Sequence, residues 1–323
     1  MLLDKLEKKG LITPPPFVVS NACYLTIMGS HAYGVADTSV KSKIPDYDVY
    51  GFCIPPKDVI FPHMRGEIQG FGTPGQRFEQ YQKHHIMDND AHGGHGQEWD
   101  LQIFNIVKYF ELCRENNPNM IDSLFTPENC VMHCTQVGRL VRDNRKKFLS
   151  KEAWKKFRGY AWSQMHKMES KNPEGGRKEI VEKFGYDVKF AYHVIRLLDE
   201  AEQVLLTGDI DLQRAREAMK AIRRGEWKVD DVRGWAMEKE KALEAAYVNC
   251  KLPEHAPEGE LRKLLLQCLE EHYGSLSEAI PQPDWAVEGL REVDAMLNKY
   301  RAKMYQGQRK QTLFGWLASL IRR

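Results

Sequence analysis

No apolar run in this 323-residue chain approaches the roughly 20 residues that a membrane-spanning helix requires. The opening stretch, MLLDKLEKKG, is charged and amphipathic and lacks the apolar core of a secretory signal. Cysteine is sparse: seven residues, an odd number, with no paired spacing of the zinc-binding kind. That pattern fits a reducing compartment, so a cytoplasmic location is expected. Cys130 and Cys134, four apart in an apolar segment, are expected to fill core. Net charge is nearly absent as well, with 47 Lys and Arg against 45 Asp and Glu. The overall balance therefore does not announce a nucleic-acid binder. Internal repeats and low-complexity tracts are also missing.

One segment departs from that balance. Between residues 142 and 158 lie Arg142, Arg145, Lys146, Lys147, Lys151, Lys155, Lys156 and Arg158, against only Asp143 and Glu152. The run reads either as the footprint of a polyanion or as a solvated helical face.

Periodicity divides the chain. The first 135 residues hold most of the prolines, with short apolar runs that predict strands over 24–28, 44–54, 77–86, 98–103 and 130–134. Beyond them, helical spacing predicts helices over 150–169, 187–206, 229–248, 261–272 and 285–300. The expected class is α+β: residues 1–135 form a small mixed sheet flanked by helices, and residues 136–323 form an all-helical domain. The segment HHIMDNDAHGGHG, residues 84–96, reads as a loop, and its histidines match no zinc-ligand spacing.

The chemistry concentrates in MGSHAYGVADTSVKSKIPDYDVYGF, residues 28–52. Gly29-Ser30 falls where a strand turns into a helix, so backbone N–H groups and the Ser30 hydroxyl converge, an arrangement suited to phosphate. Gly29 and Gly34 permit close backbone approach. In Asp46-Tyr47-Asp48, residues two apart on a strand share a face, so both carboxylates project together while Tyr47 and Val49 point away. Paired carboxylates repel unless a cation neutralises them, and Mg²⁺ is commonly held by such acids together with substrate phosphates. Either device alone is ordinary; here they stand about sixteen residues apart.

Gly-Ser, a short helix with a further Gly, then Asp-X-Asp on the next strand resembles the signature of the polymerase-beta nucleotidyltransferase superfamily. GSHAYG, DYDVYGF, KYFELCRENNPNMIDSLF and KFGYDVKFAYHVIRLLDEAEQVLLTGDI are similar to its RNA-repair-associated branch, whose members accompany RNA ligases. The likeness covers roughly residues 22 to 212, and the longer spacer ADTSVKSKIP departs from the pattern. It implies an enzyme that moves a nucleoside monophosphate from a nucleoside triphosphate to a hydroxyl, with two Mg²⁺ or Mn²⁺ ions.

The implied metal-holding and catalytic residues are Asp46, Asp48 and a third carboxylate. Alternation with Trp99, Leu101 and Ile103 puts Glu98, Asp100 and Gln102 on one face, and the resemblance puts Asp100 in that place, with Glu98 as the fallback. Gly29 and Ser30 would bind the nucleotide. So would Lys189, His193 and Arg196, which form one stripe at i, i+4, i+7; the resemblance turns their helix toward the cleft. His193 either touches the base or is structural. Asn116-Asn117-Pro118-Asn119 is expected to cap the following helix. The resemblance implies RNA, at its 3′ end, as acceptor. A small molecule, a protein hydroxyl, or a non-catalytic nucleotide- or RNA-binding module are the alternatives. The C-terminal TLFGWLASLIRR is too short to span a membrane and is expected to dock as a helix.

Overall fold

A computed structural model describes residues 1–36, 46–61, 77–170, 176–274, 289–290 and 292–301. In chain order, α1 (Leu2–Lys8) and α2 (Pro16–Ser20) precede β1 (Ala22–Ile27), α3 (Gly29–Ala32) and β2 (Tyr47–Cys53). Then come α4 (Lys57–Ile60), β3 (Gln80–Asp88), α5 (Ala91–Gly94), β4 (Gln97–Asn105), α6 (Ile106–Arg114), α7 (Pro118–Phe125) and β5 (Val131–Cys134). The elements that follow are helical: α8 (Gln136–Asp143), α9 (Glu152–Ser170), α10 (Gly176–Phe184), α11 (Val188–Thr207), α12 (Arg216–Arg223), α13 (Val229–Asn249) and α14 (Glu258–Tyr273). Contacts gather residues 1–274 into one unit and residues 275–323 into another, whose described part is helical. The C-terminal TLFGWLASLIRR lies outside the described residues. Among those residues, no helix is long and apolar enough to cross a membrane.

Strand order in the sheet is β3-β4-β2-β1-β5; β2 and β4 run parallel and the remaining pairs antiparallel. The α+β class read from the sequence is the class observed. Alternation sorts each strand onto two faces. Leu25, Val49, Trp99, Leu101 and Ile103 pack with Leu3, Leu6, Ile12 and Val18 from the N-terminal segment. Tyr24, Phe52 and Phe104 face the other way, into a larger core with α6, α7, α9 and α11. Gly51 lets β1 and β2 close, because a Cβ there would sit 1.9 Å from the Tyr24 carbonyl oxygen.

Helix starts follow their caps. The Asn105, Asn117, Thr135 and Asp187 side chains accept N–H bonds from Val107, Met120, Gly138 and Lys189. Asn117 with Pro118 behind it is the capping turn expected from sequence. Gly208, at φ 63°, closes α11.

Two expectations change. Residues 84–88 belong to β3, so the loop read over 84–96 shortens to the segment after Asp88. Most of the basic run is paired with acids from elsewhere in the chain. Arg142 is buried and donates to the Tyr24 hydroxyl at 2.7 Å, and Lys146 pairs with Asp209 at 2.5 Å. Lys151 meets Glu254 at 3.0 Å, Lys156 meets Glu115 at 3.6 Å, and Arg158 pairs with Glu240. Those acids lie far along the chain, so local charge counting could not see them.

Candidate active site

Parallel register places Asp48 directly beside Asp100, as Cα partners on β2 and β4. Both point away from the Trp99–Leu101 core, toward the side that the helices cover. Asp46 immediately precedes β2 and is exposed. Asp48 is half-buried, and its carboxyl is pushed up to about 6. Burial is the main cause; the negative charges of Asp46 and Asp100 add to it, while Lys189 and His84 partly offset it. Two carboxylates, one just before β2 and one on β4, thus act on the Asp48 carboxyl between them.

The turn after β1 closes onto this group. The Met28 N–H donates to the Asp48 carbonyl at 2.7 Å. Gly29 has φ +67°, and a Cβ built on it would lie 2.5 Å from Asp48 Oδ2. Only glycine tolerates both conditions. The Ser30 carbonyl accepts the Val35 and Ala36 N–H groups at 2.9 and 3.0 Å, which folds residues 29–36 into a tight hairpin. Gln213 anchors that hairpin from the helical side, donating to the Ala32 carbonyl at 3.2 Å. His31, which sequence reasoning passed over, lies with its ring 4.4 Å from Tyr47. Burial lowers its pKa against the opposing charge of Asp46, and its Nδ1 is buried without a partner among the described residues.

From the opposite side, α11 brings Lys189, exposed in its first turn, within electrostatic range of Asp48. His193 is half-buried, with its ring 4.3 Å from Tyr192 and 6.4 Å from Tyr33. Arg196 is placed differently from the stripe expected from sequence. It is 4% exposed, with its guanidinium on the Asp122 carboxylate and 3.2 Å from Glu200 Oε2. The Tyr33 hydroxyl donates to the same Asp122 oxygen at 3.0 Å. Arg196 therefore ties α11 to α7 and to the hairpin; its charge is spent there. The i, i+7 spacing was right, but the helix is buried on more of its circumference than an amphipathic pattern suggests.

On the sheet edge, β3 contributes two histidines. His84 Nδ1 lies 3.4 Å from Asp100 Oδ2, and His85 Nδ1 lies 2.6 Å from Glu98 Oε1. Nothing in their spacing marked them; their role depends on a register shift that only pairing reveals.

Chemically, the centre is a set of hard oxygen donors whose mutual repulsion is only partly offset by Lys189 and His84. That donor set fits a divalent cation of the Mg²⁺ type. A family model described as "RNA repair pathway DNA polymerase beta family" matches residues 18–232. That span contains the Gly29–Ser30 turn, all three aspartates and α11. Comparison with curated proteins and with solved structures finds no match.

Proposed function

The chain belongs to the RNA repair pathway DNA polymerase beta family, a polymerase-beta-type nucleotidyltransferase family, and on that premise we propose how it works. It moves a nucleoside monophosphate from a nucleoside triphosphate onto a hydroxyl, with an RNA 3′ end as acceptor and pyrophosphate as leaving group. The single observation that carries this reading is the pairing of Asp48 with Asp100 across β2 and β4, with Asp46 two residues before Asp48. Burial first, and then the charges of Asp46 and Asp100, disfavour the ionised Asp48 carboxyl, and a cation-binding role accounts for keeping it there.

In this reading Asp46, Asp48 and Asp100 are the metal-holding and catalytic residues for two Mg²⁺ or Mn²⁺ ions. Bound there, divalent cations would neutralise the triphosphate and lower the pKa of the attacking hydroxyl. Gly29 and Ser30 offer backbone N–H and hydroxyl donors to the triphosphate. Lys189 supplies a mobile positive charge from the facing helix. His193 borders the same space and orients the nucleotide. Arg196 acts indirectly, holding Tyr33 and α11 in place. Residues 1–135 carry the transfer chemistry, and the helical part from residue 136 onward contributes Lys189 and His193 through α11.

The test is incubation of the protein with each α-labelled nucleoside triphosphate, Mg²⁺ or Mn²⁺, and a pool of RNA. Label appearing at RNA 3′ ends supports the reading. Label on a small molecule or on protein would move the acceptor, and no transfer of label in any mixture would sink the enzymatic reading.

A further inference from the structure

In a regular strand, consecutive side chains point to opposite faces, so two adjacent histidines cannot both address one site. β3 breaks that rule at one place. Lys83 pairs with Leu101 and Ile86 with Trp99, leaving His84 and His85 together opposite the single residue Asp100. This is a bulge, two residues against one, of the kind that re-aims side chains beside functional sites. His85 takes φ 53°, a left-handed conformation that a residue with a Cβ rarely adopts.

The consequence is a second set of donors on the flank of the three aspartates. The His85 N–H donates to Asp100 Oδ1 at 2.7 Å, which fixes that carboxylate's orientation. The His85 ring turns back so that Nδ1 stands 2.6 Å from Glu98 Oε1. One ligand atom each from His85, Glu98 and Asp100 lies within 4.8 Å of the others. A cation bonded at about 2.1 Å to two donors at right angles holds them about 3 Å apart. The exposed His85 ring thus needs only a small adjustment to share a cation with the two acids. Imidazole nitrogen is a poor ligand for Mg²⁺ and a good one for first-row transition cations.

We infer that the β3 bulge builds a nitrogen-bearing metal site, His85 Nδ1 with the Glu98 and Asp100 carboxylates, that takes a first-row transition cation in preference to Mg²⁺. The inference rests on the reading of Asp100 as a metal-holding carboxylate. His85 would bind through the Nδ1 lone pair of its Nε2–H tautomer, any proton on Nδ1 passing to solvent, and Glu98, released from its hydrogen bond to that nitrogen, becomes the neighbouring oxygen ligand.

Mn²⁺ is the probe, and pulsed electron paramagnetic resonance of the whole 323-residue chain is the readout, independent of any turnover. The wild-type protein should show ¹⁴N coupling from a directly bound imidazole, and a tenfold excess of Mg²⁺ should leave it in place. His85→Asn and His85→Gly, both compatible with a positive φ, should each abolish the coupling, while His84→Ala retains it. A wild-type spectrum without ¹⁴N coupling, coupling that survives in both His85 variants, or coupling erased by Mg²⁺ would overturn the assignment. Failure of the transferase reading looks different: ¹⁴N coupling with no label transferred leaves this site standing and removes the proposed reaction.

Discussion

Two groups of acids in this molecule are treated in opposite ways. Asp122 and Glu200 lie fully inside the helical core, where burial pushes both carboxyls up, and Arg196 stands between them with its positive charge opposing that rise. Asp46, Asp48 and Asp100 crowd the ends of β2 and β4 with no such arginine; the compensating charges acting on Asp48 are Lys189 and His84, from other elements. The first arrangement is architecture: removing one partner strands the rest. The second keeps a partly buried carboxyl beside two other acids, the arrangement on which the proposed cation site rests. Most of the basic run from Arg142 to Arg158 falls on the architectural side, with Arg158 of α9 paired to Glu240 of α13 and Lys146, Lys151 and Lys156 paired to acids distant in sequence.

The comparison breaks first at Arg196. Arg196→Ala leaves two buried carboxyls without their cation and should cost about 3–5 kcal/mol of stability, measured by denaturant unfolding. A loss below about 1 kcal/mol would make the cluster ordinary surface-type pairing.

Asp48→Asn should act in the other direction. Its carboxyl titrates near 6 in the fold and near 3.9 in an unfolded chain. The neutral form is therefore the one the fold favours. That stability is fully present below about pH 4 and is lost as pH rises through about 6. Without divalent metal, the Asn variant should be more stable than wild type at pH 8, by up to about 3 kcal/mol. The gap should close toward pH 4, and thermal melts in chelator at both values check it. Equal melting at pH 8 would mean that Asp48 is not held under repulsion.

Gly29→Ala sharpens the site further. The new Cβ meets Asp48 Oδ2 at 2.5 Å in a left-handed backbone, for a loss of about 1–3 kcal/mol. Part of that loss should return in the Gly29→Ala/Asp48→Ala double variant, since the steric share depends on the carboxylate. No coupling in the double-mutant cycle would put the whole cost in the backbone. The smallest effects belong to the basic run: Lys151→Ala and Lys156→Ala, each removing a partly exposed pair, should cost less than about 1 kcal/mol apiece.

How much of this was legible in the sequence follows from the range of each interaction. The faces of Asp48 and Asp100 could be read, because alternation along a strand is local and Trp99, Leu101 and Ile103 mark the buried side, whereas Asp46 lies just before β2. The turn at Gly29 and the cap at Asn117 were legible for the same reason. Arg196 was not: its partner Asp122 lies 74 residues away, and only the packed core shows that the two meet. Lys146, Lys151 and Arg158 find Asp209, Glu254 and Glu240 across similar distances, so much of a run that reads as a polyanion footprint or a solvated face is already paired. His84 and His85 reach the site through a register shift, which is a property of two strands and of neither alone.

The central claim, that the crowded aspartates exist to transfer a nucleotide, is tested most directly by label transfer with the carboxylate at fault. Wild-type protein, Asp48→Asn and Arg196→Lys are each given α-labelled nucleoside triphosphate, RNA and Mg²⁺ or Mn²⁺, with folding checked by circular dichroism. Transfer to RNA by wild type, a loss of at least about 100-fold in a folded Asp48→Asn, and transfer retained by any folded Arg196→Lys is the expected result. Near-wild-type transfer by Asp48→Asn would contradict the account.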